Sequence, residues 1–402
     1  MQVKDNKLRL GEVEAESLAR EYGTPLYVYE EEVIRSRFAD LVEAIPYRAL
    51  RIHYACKANA NIEILKLLRS LGANAETVSR GEILLAFHAG FSPHQILHTC
   101  SNISADELRF VIDSGVVINL DSLGQLRHYG EWNPGTSVSI RINGGIGAGH
   151  HPHVITGGPD SKFGIDVSQL DEARALAEEY HLRIVGIHQH IGSNVLDAAL
   201  LVAAMKAVLG SAATFTGLEF VDFGGGLGVP YRPDEKPLDV RQFGARAAEL
   251  FDLFCRGYGK ELGMVLEPGR YLVAEAGTLL ATVTDVKRTP FRTFVGVDTG
   301  FNHLVRPAMY GSYHPILNAS RADGQEEVVC VAGNLCESGD LLARDRAISE
   351  CREGDTIAIL NAGAYGFSMS SNYNARPRPA EVMVWDGRAR LIRPREKDYS
   401  SY

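Results

Sequence analysis

The chain has 402 residues, 45% of them hydrophobic and 23% charged, with six cysteines and a formal net charge of −9. These figures exclude a disordered chain, a coiled coil and a disulfide-stapled miniprotein, and leave room for two or three domains. The acidic balance offers no basic footprint for nucleic acid or an anionic membrane surface, so a small-molecule partner is expected.

The start, Met1–Leu10 (MQVKDNKLRL), lacks the apolar core of a secretion signal, and no uninterrupted run of about 18 apolar residues follows it. Ala198–Leu209 (AALLVAAMKAVL), broken by Lys206, is too short to span a membrane and reads as a buried helix. Cys56, Cys100, Cys255, Cys330, Cys336 and Cys351 form no CxxC pair, which fits reduced thiols in a cytoplasmic enzyme.

From residue 50 onward, short β-rich runs alternate with helical patterns. The runs are Arg51–Ala55, Asn74–Ser79, Ile96–Cys100, Val117–Ser122, Ser137–Asn143, Arg183–His190, Gly217–Phe223 and Gly263–Glu267. Between them, Ile64, Leu67, Leu68 and Leu71, then Leu108, Val111 and Ile112, then Leu170, Ala173, Leu176 and Ala177 recur at helical spacing. Ser104 is placed to cap the second of these helices, with Glu107 completing a capping-box pattern. Eight such units predict an α/β fold, a (β/α)8 TIM-like barrel over residues 26–275, in preference to a doubly wound open sheet. Beyond it, Leu279–Val286, Thr293–Val297, Glu327–Ala332, Thr356–Leu360 and Glu381–Trp385 alternate without regular helices. They predict a C-terminal β-sandwich or β-barrel domain of residues 276–402, joined by residues 1–25 through the run Leu8–Leu10.

In such a barrel, reactive side chains belong at the C-terminal ends of strands. Those ends carry Lys57, Glu76, Arg141, His190, Gly224–Gly226 and Glu267. Lys57 fits either a surface lysine capping a strand or a partly desolvated, Schiff-base-forming amine. The triplet in DFGGGLGVPY (222–231) lets backbone N–H groups approach an anion, yet does not match a nucleotide P-loop. In EPGR (267–270), Glu267 suits a pyridinium nitrogen and Arg270 a phosphate or carboxylate, the alternative being a salt bridge between neighbours. His188 and His190 share one strand face without a third ligand nearby. His190 is the one placed to lie against a planar cofactor, and His188 reads as a hydrogen-bonded core residue. The cluster His150, His151 and His153 sits in a glycine-rich stretch and reads as a mobile loop over the site; no metal is expected.

The segments HYACKAN, HQHIGSN, DFGGGLGVPY, EPGR, RPAMYGSYH, CESGD and AGAYGFSMSSNYN occur in this order along nearly the whole chain. Together they resemble the fold-type III pyridoxal-phosphate decarboxylases, and within them the branch acting on meso-diaminopimelate. The resemblance implies pyridoxal 5'-phosphate as cofactor, release of CO2 with L-lysine as product, and a homodimer with composite active sites. It assigns Lys57 to the covalent cofactor bond, His190 to the ring face, Ser193 with Gly224, Gly225 and Gly226 to the phosphate, and Glu267 to the ring nitrogen. Glu76, Arg141 and Gly269 fall at the cofactor mouth, and Arg270 near phosphate and substrate. Arg306 and Tyr310 match residues binding the distal end of the substrate, and Tyr365 one beside the cofactor. Cys336, as proton donor, and Glu337 match residues supplied by the other subunit. Glu76 replaces a usual aspartate and Gly144 a common proline. These departures leave open a paralogous decarboxylase of siderophore or antibiotic biosynthesis.

Overall fold

The computed structural model describes residues 1–145, 147, 158 and 161–397, so His150, His151 and His153 lie outside the described residues. The chain forms two compact units, one of Arg37–Val229 with Lys236–Tyr271, the other of Met1–Ser36, Pro230–Glu235 and Leu272–Tyr402.

In the first unit, eight parallel strands follow one another around a ring: Leu50–Ala55, Asn74–Thr77, Ile96–Cys100, Val117–Leu120, Ser137–Asn143, Arg183–His188, Phe220–Asp222 and Gly263–Leu266. The eighth returns to the first, with Met264 opposite Leu50 and Leu266 opposite Ile52, so the barrel is closed. A two-residue strand, Ile165–Asp166, adds to the fifth. Strands sandwiched between the barrel interior and a helical layer must satisfy their polar side chains against one another. Cross-strand pairs do this in succession: His53 with Asn74 at 3.1 Å, Thr77 with His98 at 3.1 Å, and Asn119 with Thr99 at 2.9 Å.

The turns leaving the first four strands each reach a helix through a capping side chain. Asn61, Ser79, Ser104 and Ser122 accept backbone N–H groups of Glu63, Glu82, Glu107 and Gln125. Such caps satisfy helix-end donors and fix where each loop ends, which places the strand tips. The carboxylate of Glu107, expected to return to Ser104, instead accepts the N–H of Arg80 in the preceding helix. The helices Ile62–Ser70 and Leu170–Glu179 bury Ile64, Leu67 and Leu68, and Leu170, Ala173, Leu176 and Ala177. Ala198–Ala212 forms a continuous helix with seven buried residues. No helix among the described residues is long and apolar enough to cross a membrane.

The second unit contains a nine-stranded mixed sheet built around the long strand Gly277–Arg288. Its first half pairs with Leu26–Glu30 and Thr356–Ile359, its second half with Thr293–Val297, with a register shift after Val283. Leu26–Glu30 is thus a central strand of this sheet, antiparallel to Gly277–Arg288 and parallel to Ala380–Trp385, although the sequence boundary at residue 26 placed it with the barrel. Its run LYVYE is buried throughout, so it carries no alternation to mark it as a β-domain strand. Leu8 and Leu10 pack into the same core, while their strand, Lys7–Leu10, pairs in a separate three-stranded sheet.

Burial pushes His53 and His98, on the first and third barrel strands, down to about 4. Both are neutral in the folded chain, whereas the unfolded chain gains protons below about 6.5, so their stabilisation is present above that pH and is lost toward 4. Between pH 7 and pH 5 each should cost about 2 kcal/mol of stability. A urea midpoint that falls over this interval, and falls less in His98→Gln, is the expected outcome.

Candidate active site

Lys57, Glu76, Arg141, His190 and Glu267 line one cavity of about 360 Å3 in the barrel unit, together with Thr99, Cys100, Ser101, Lys162, Phe163 and His188. Lys57 stands on a short helical turn, Cys56–Ala58, immediately after the first strand. Its Nζ lies 2.5 Å from Glu76 Oε2; the lysine side chain is 35% exposed and the glutamate 1%. Desolvation therefore falls on the carboxylate more than on the amine. Burial raises Glu76 to about 8 against the downward pull of Lys57. Arg141 lies 3.4 Å from Asp121 Oδ1 and over the Phe163 ring at 4.4 Å.

Glu267 follows the eighth strand and is buried. His188 Nε2 donates to its Oε2 at 3.1 Å. Burial pushes this carboxyl upward, but the contact with His188 and the nearby Lys57 outweigh it and hold Glu267 well below the ordinary range. His190 has been driven far below its usual value by burial and by the neighbouring Lys57 and Arg141, so its imidazole is neutral. Its Nδ1 accepts the N–H of Gly225 at 3.2 Å, which leaves the ring proton on Nε2.

The glycine triplet is sterically required. A Cβ on Gly225 would sit 2.3 Å from the carbonyl oxygen of Glu267, and one on Gly226 would sit 2.9 Å from that of Gly192. Glu267 N–H in turn donates to Gly224 O at 2.8 Å, and Arg270 donates to Ser193 Oγ at 2.9 Å. Gly269 packs against Ala58, with 2.9 Å left for a Cβ. A side chain at Gly144, the position where the resembled family commonly has proline, would meet Gln189 Oε1 at 3.0 Å.

The remaining sequence candidates belong to the β unit. Arg306 is buried, over the Tyr231 ring at 4.7 Å, and donates to His314 Nε2 at 3.2 Å. His314 Nδ1 donates to Leu360 O, which fixes the tautomer that leaves Nε2 as acceptor. Tyr310 ends the short helix Arg306–Tyr310, and Tyr365 adopts a left-handed backbone with φ of 57°. Cys336 and Glu337 are exposed on a loop, where Cys336 N–H donates to Asn374 and Glu337 accepts the Tyr373 hydroxyl at 2.9 Å. All six cysteines are free thiols.

Sequence reasoning passed over Asp121 and Asp222 and left His188 in the core. A signal was present, since each stands at the last residue of a barrel strand or the one after it. His188, Asp222 and Glu267 each place a ligand-type atom within 4.8 Å of the others. These groups are engaged, His188 with Glu267 and Asp222 Oδ1 with Gly224 N–H at 2.8 Å.

A closed (β/α)8 barrel with a lysine, a neutral imidazole, a buried carboxylate and a glycine turn at the strand tips is the architecture of a cofactor-dependent barrel enzyme. Residues 31–274 match the pyridoxal-binding domain of the pyridoxal-dependent decarboxylases, and the chain belongs to that family. It is 49% identical to the diaminopimelate decarboxylase of Methanothermobacter thermautotrophicus over 97% of this chain and 93% of that one. Identity to the Escherichia coli K12 diaminopimelate decarboxylase is 40%, covering 95% and 94%. The crystal structure of the Methanocaldococcus jannaschii diaminopimelate decarboxylase with L-lysine superposes with a TM-score of 0.92 at 35% identity, over 98% and 95% of the two chains.

The residues present fit pyridoxal phosphate. The cavity carries an amine in Lys57 and an anion in Glu267, whose oxygens retain lone pairs for a further N–H, and the glycine turn bears no side chains, which suits backbone approach to a phosphate. Hydrogen bonds to charged groups contribute about 1.5–3 kcal/mol. Arg270→Ala is therefore expected to weaken pyridoxal-phosphate binding about 10- to 100-fold, and Ser193→Ala by less, as read by equilibrium binding to the apoprotein.

Proposed function

We propose that this chain decarboxylates meso-2,6-diaminopimelate to L-lysine and CO2, as a pyridoxal-phosphate-dependent carboxy-lyase of lysine biosynthesis. The observation that carries this reading is end-to-end likeness to diaminopimelate decarboxylases, 49% over 97% of the chain, with the Lys57, His190 and Glu267 cavity inside it. When bound, pyridoxal phosphate supplies the electron sink that accepts the pair left on Cα as CO2 departs.

The chain's own residues do the rest. Lys57 would hold the cofactor through Nζ. Glu267 keeps a negative charge opposite the ring nitrogen, which stabilises a proton there. The neutral imidazole of His190 covers the ring face without adding a competing positive charge. Gly224–Gly226, Ser193 and Arg270 would hold the phosphate, with Glu76, Arg141 and Gly269 at the mouth; Tyr365 is carried over from the resemblance as a residue beside the cofactor. Arg306 and Tyr310 take the distal end of the substrate, whose carboxylate suits a guanidinium. In a cytoplasmic homodimer, Cys336 of one subunit delivers a proton to Cα in the other subunit's site, and Glu337 beside it receives the substrate amine.

Purified holoprotein should release CO2 and L-lysine from meso-diaminopimelate. Lys57→Ala should abolish both this release and the visible absorption of the bound cofactor. Release of CO2 from other carboxylated amino acids or amine conjugates, but not from meso-diaminopimelate, would overturn the substrate and favour the paralogous reading.

A further inference from the structure

Behind Glu267 lies Asp222, a second fully buried carboxyl that the reaction just described does not use. It ends the seventh strand, and Val265, two residues before Glu267, is its register partner on the eighth. A carboxyl oxygen of each lies within 4.8 Å of one of the other. Asp222 Oδ1 accepts the N–H of Gly224 at 2.8 Å, and Glu267 Oε2 accepts His188 Nε2 at 3.1 Å. The two remaining oxygens, Asp222 Oδ2 and Glu267 Oε1, are buried and take no N–H or hydroxyl hydrogen from the described residues. Two charged carboxylates this close in a dry interior repel; a proton shared between them turns the repulsion into a charge-assisted hydrogen bond.

We propose that Asp222 is a positioning residue that remains a neutral acid and donates Oδ2–H to Glu267 Oε1, so that Glu267 is clamped between Asp222 and His188 as the one anion of the trio. The inference rests on the pyridoxal-phosphate reading of the cavity and deepens it. Charges around the trio favour this arrangement. Burial and the negative charge of Glu267 drive Asp222 far up, whereas the His188 hydrogen bond and the nearby Lys57 hold Glu267 down. Exchanging the roles would leave the His188 hydrogen bond on an uncharged acid, where it is weaker. The clamp does two things. It fixes the direction of the Glu267 carboxylate, and it keeps that group from taking a proton that belongs on a ring nitrogen.

Neutral aspartic acid and asparagine are close equivalents here: Asn Oδ1 can accept from Gly224 N–H and Asn Nδ2–H can donate to Glu267 Oε1. Asp222→Asn should therefore bind pyridoxal phosphate within about threefold of wild type. Asp222→Ala, which leaves Glu267 Oε1 without a donor, should lose about 10- to 100-fold. The direct readout is infrared difference spectroscopy on the full-length holoprotein at pH 9, wild type minus Asp222→Asn. It should show one deuteration-sensitive C=O band of a protonated carboxyl. A difference spectrum with carboxylate bands only, or an Asp222→Asn variant as impaired as Asp222→Ala, would overturn the proposal, and the first result holds even if the alanine variant fails to fold. Failure of the substrate assignment would be visible separately, as the band present in a protein that leaves meso-diaminopimelate intact.

Discussion

A carboxylate that must remain charged inside an apolar barrel is the constraint around which the site is built. An unpaired buried anion costs far more than the total stability of a domain allows, so Glu267 can exist only with compensation on every side. His188 supplies a hydrogen bond, and Lys57, after the adjacent first strand, a nearby positive charge. Glu76, also buried and close by, gives up its ordinary acidity, which avoids a second full negative charge.

The phosphate cradle is mechanically part of the same arrangement. Gly225 lacks room for a Cβ because the carbonyl of Glu267 fills it, and Glu267 N–H is bonded to Gly224 O. Gly224 N–H is held by Asp222, and Gly225 N–H by His190. The backbone proposed to approach a phosphate and the side chain proposed to meet a ring nitrogen are thus braced against each other, so the spacing between them is set by hydrogen bonds.

Much of this was legible in the sequence because barrel chemistry concentrates at strand ends, and eight apolar runs announce where those ends are. Lys57, Glu76, Arg141, His190 and Glu267 could each be read from position alone, and the cavity unites them. His188 and Asp222 were less visible because a buried polar residue inside a strand looks the same whether it supports the core, as His98 does with Thr77, or supports a catalytic group. Leu26–Glu30 was assigned to the wrong side of the domain boundary for a related reason. A central strand buried on both faces loses the alternation that separates a β-domain strand from a barrel strand, and its partners, Gly277–Arg288 and Ala380–Trp385, are remote in sequence.

Closure of the ring between Gly263–Leu266 and Leu50–Ala55 also has a bearing on how the protein comes into being. Lys57 and Glu267 sit at the tips of the first and last barrel strands, which are neighbours in space and the most distant pair in the barrel's chain order. A nascent chain therefore carries the lysine long before it carries the carboxylate, and no contiguous portion of the barrel short of the whole holds both. Contacts of such long sequence separation form late, after the loop-closure entropy has been met. Capture of the cofactor then reports that the ring has sealed, and an incomplete or half-folded barrel is chemically silent.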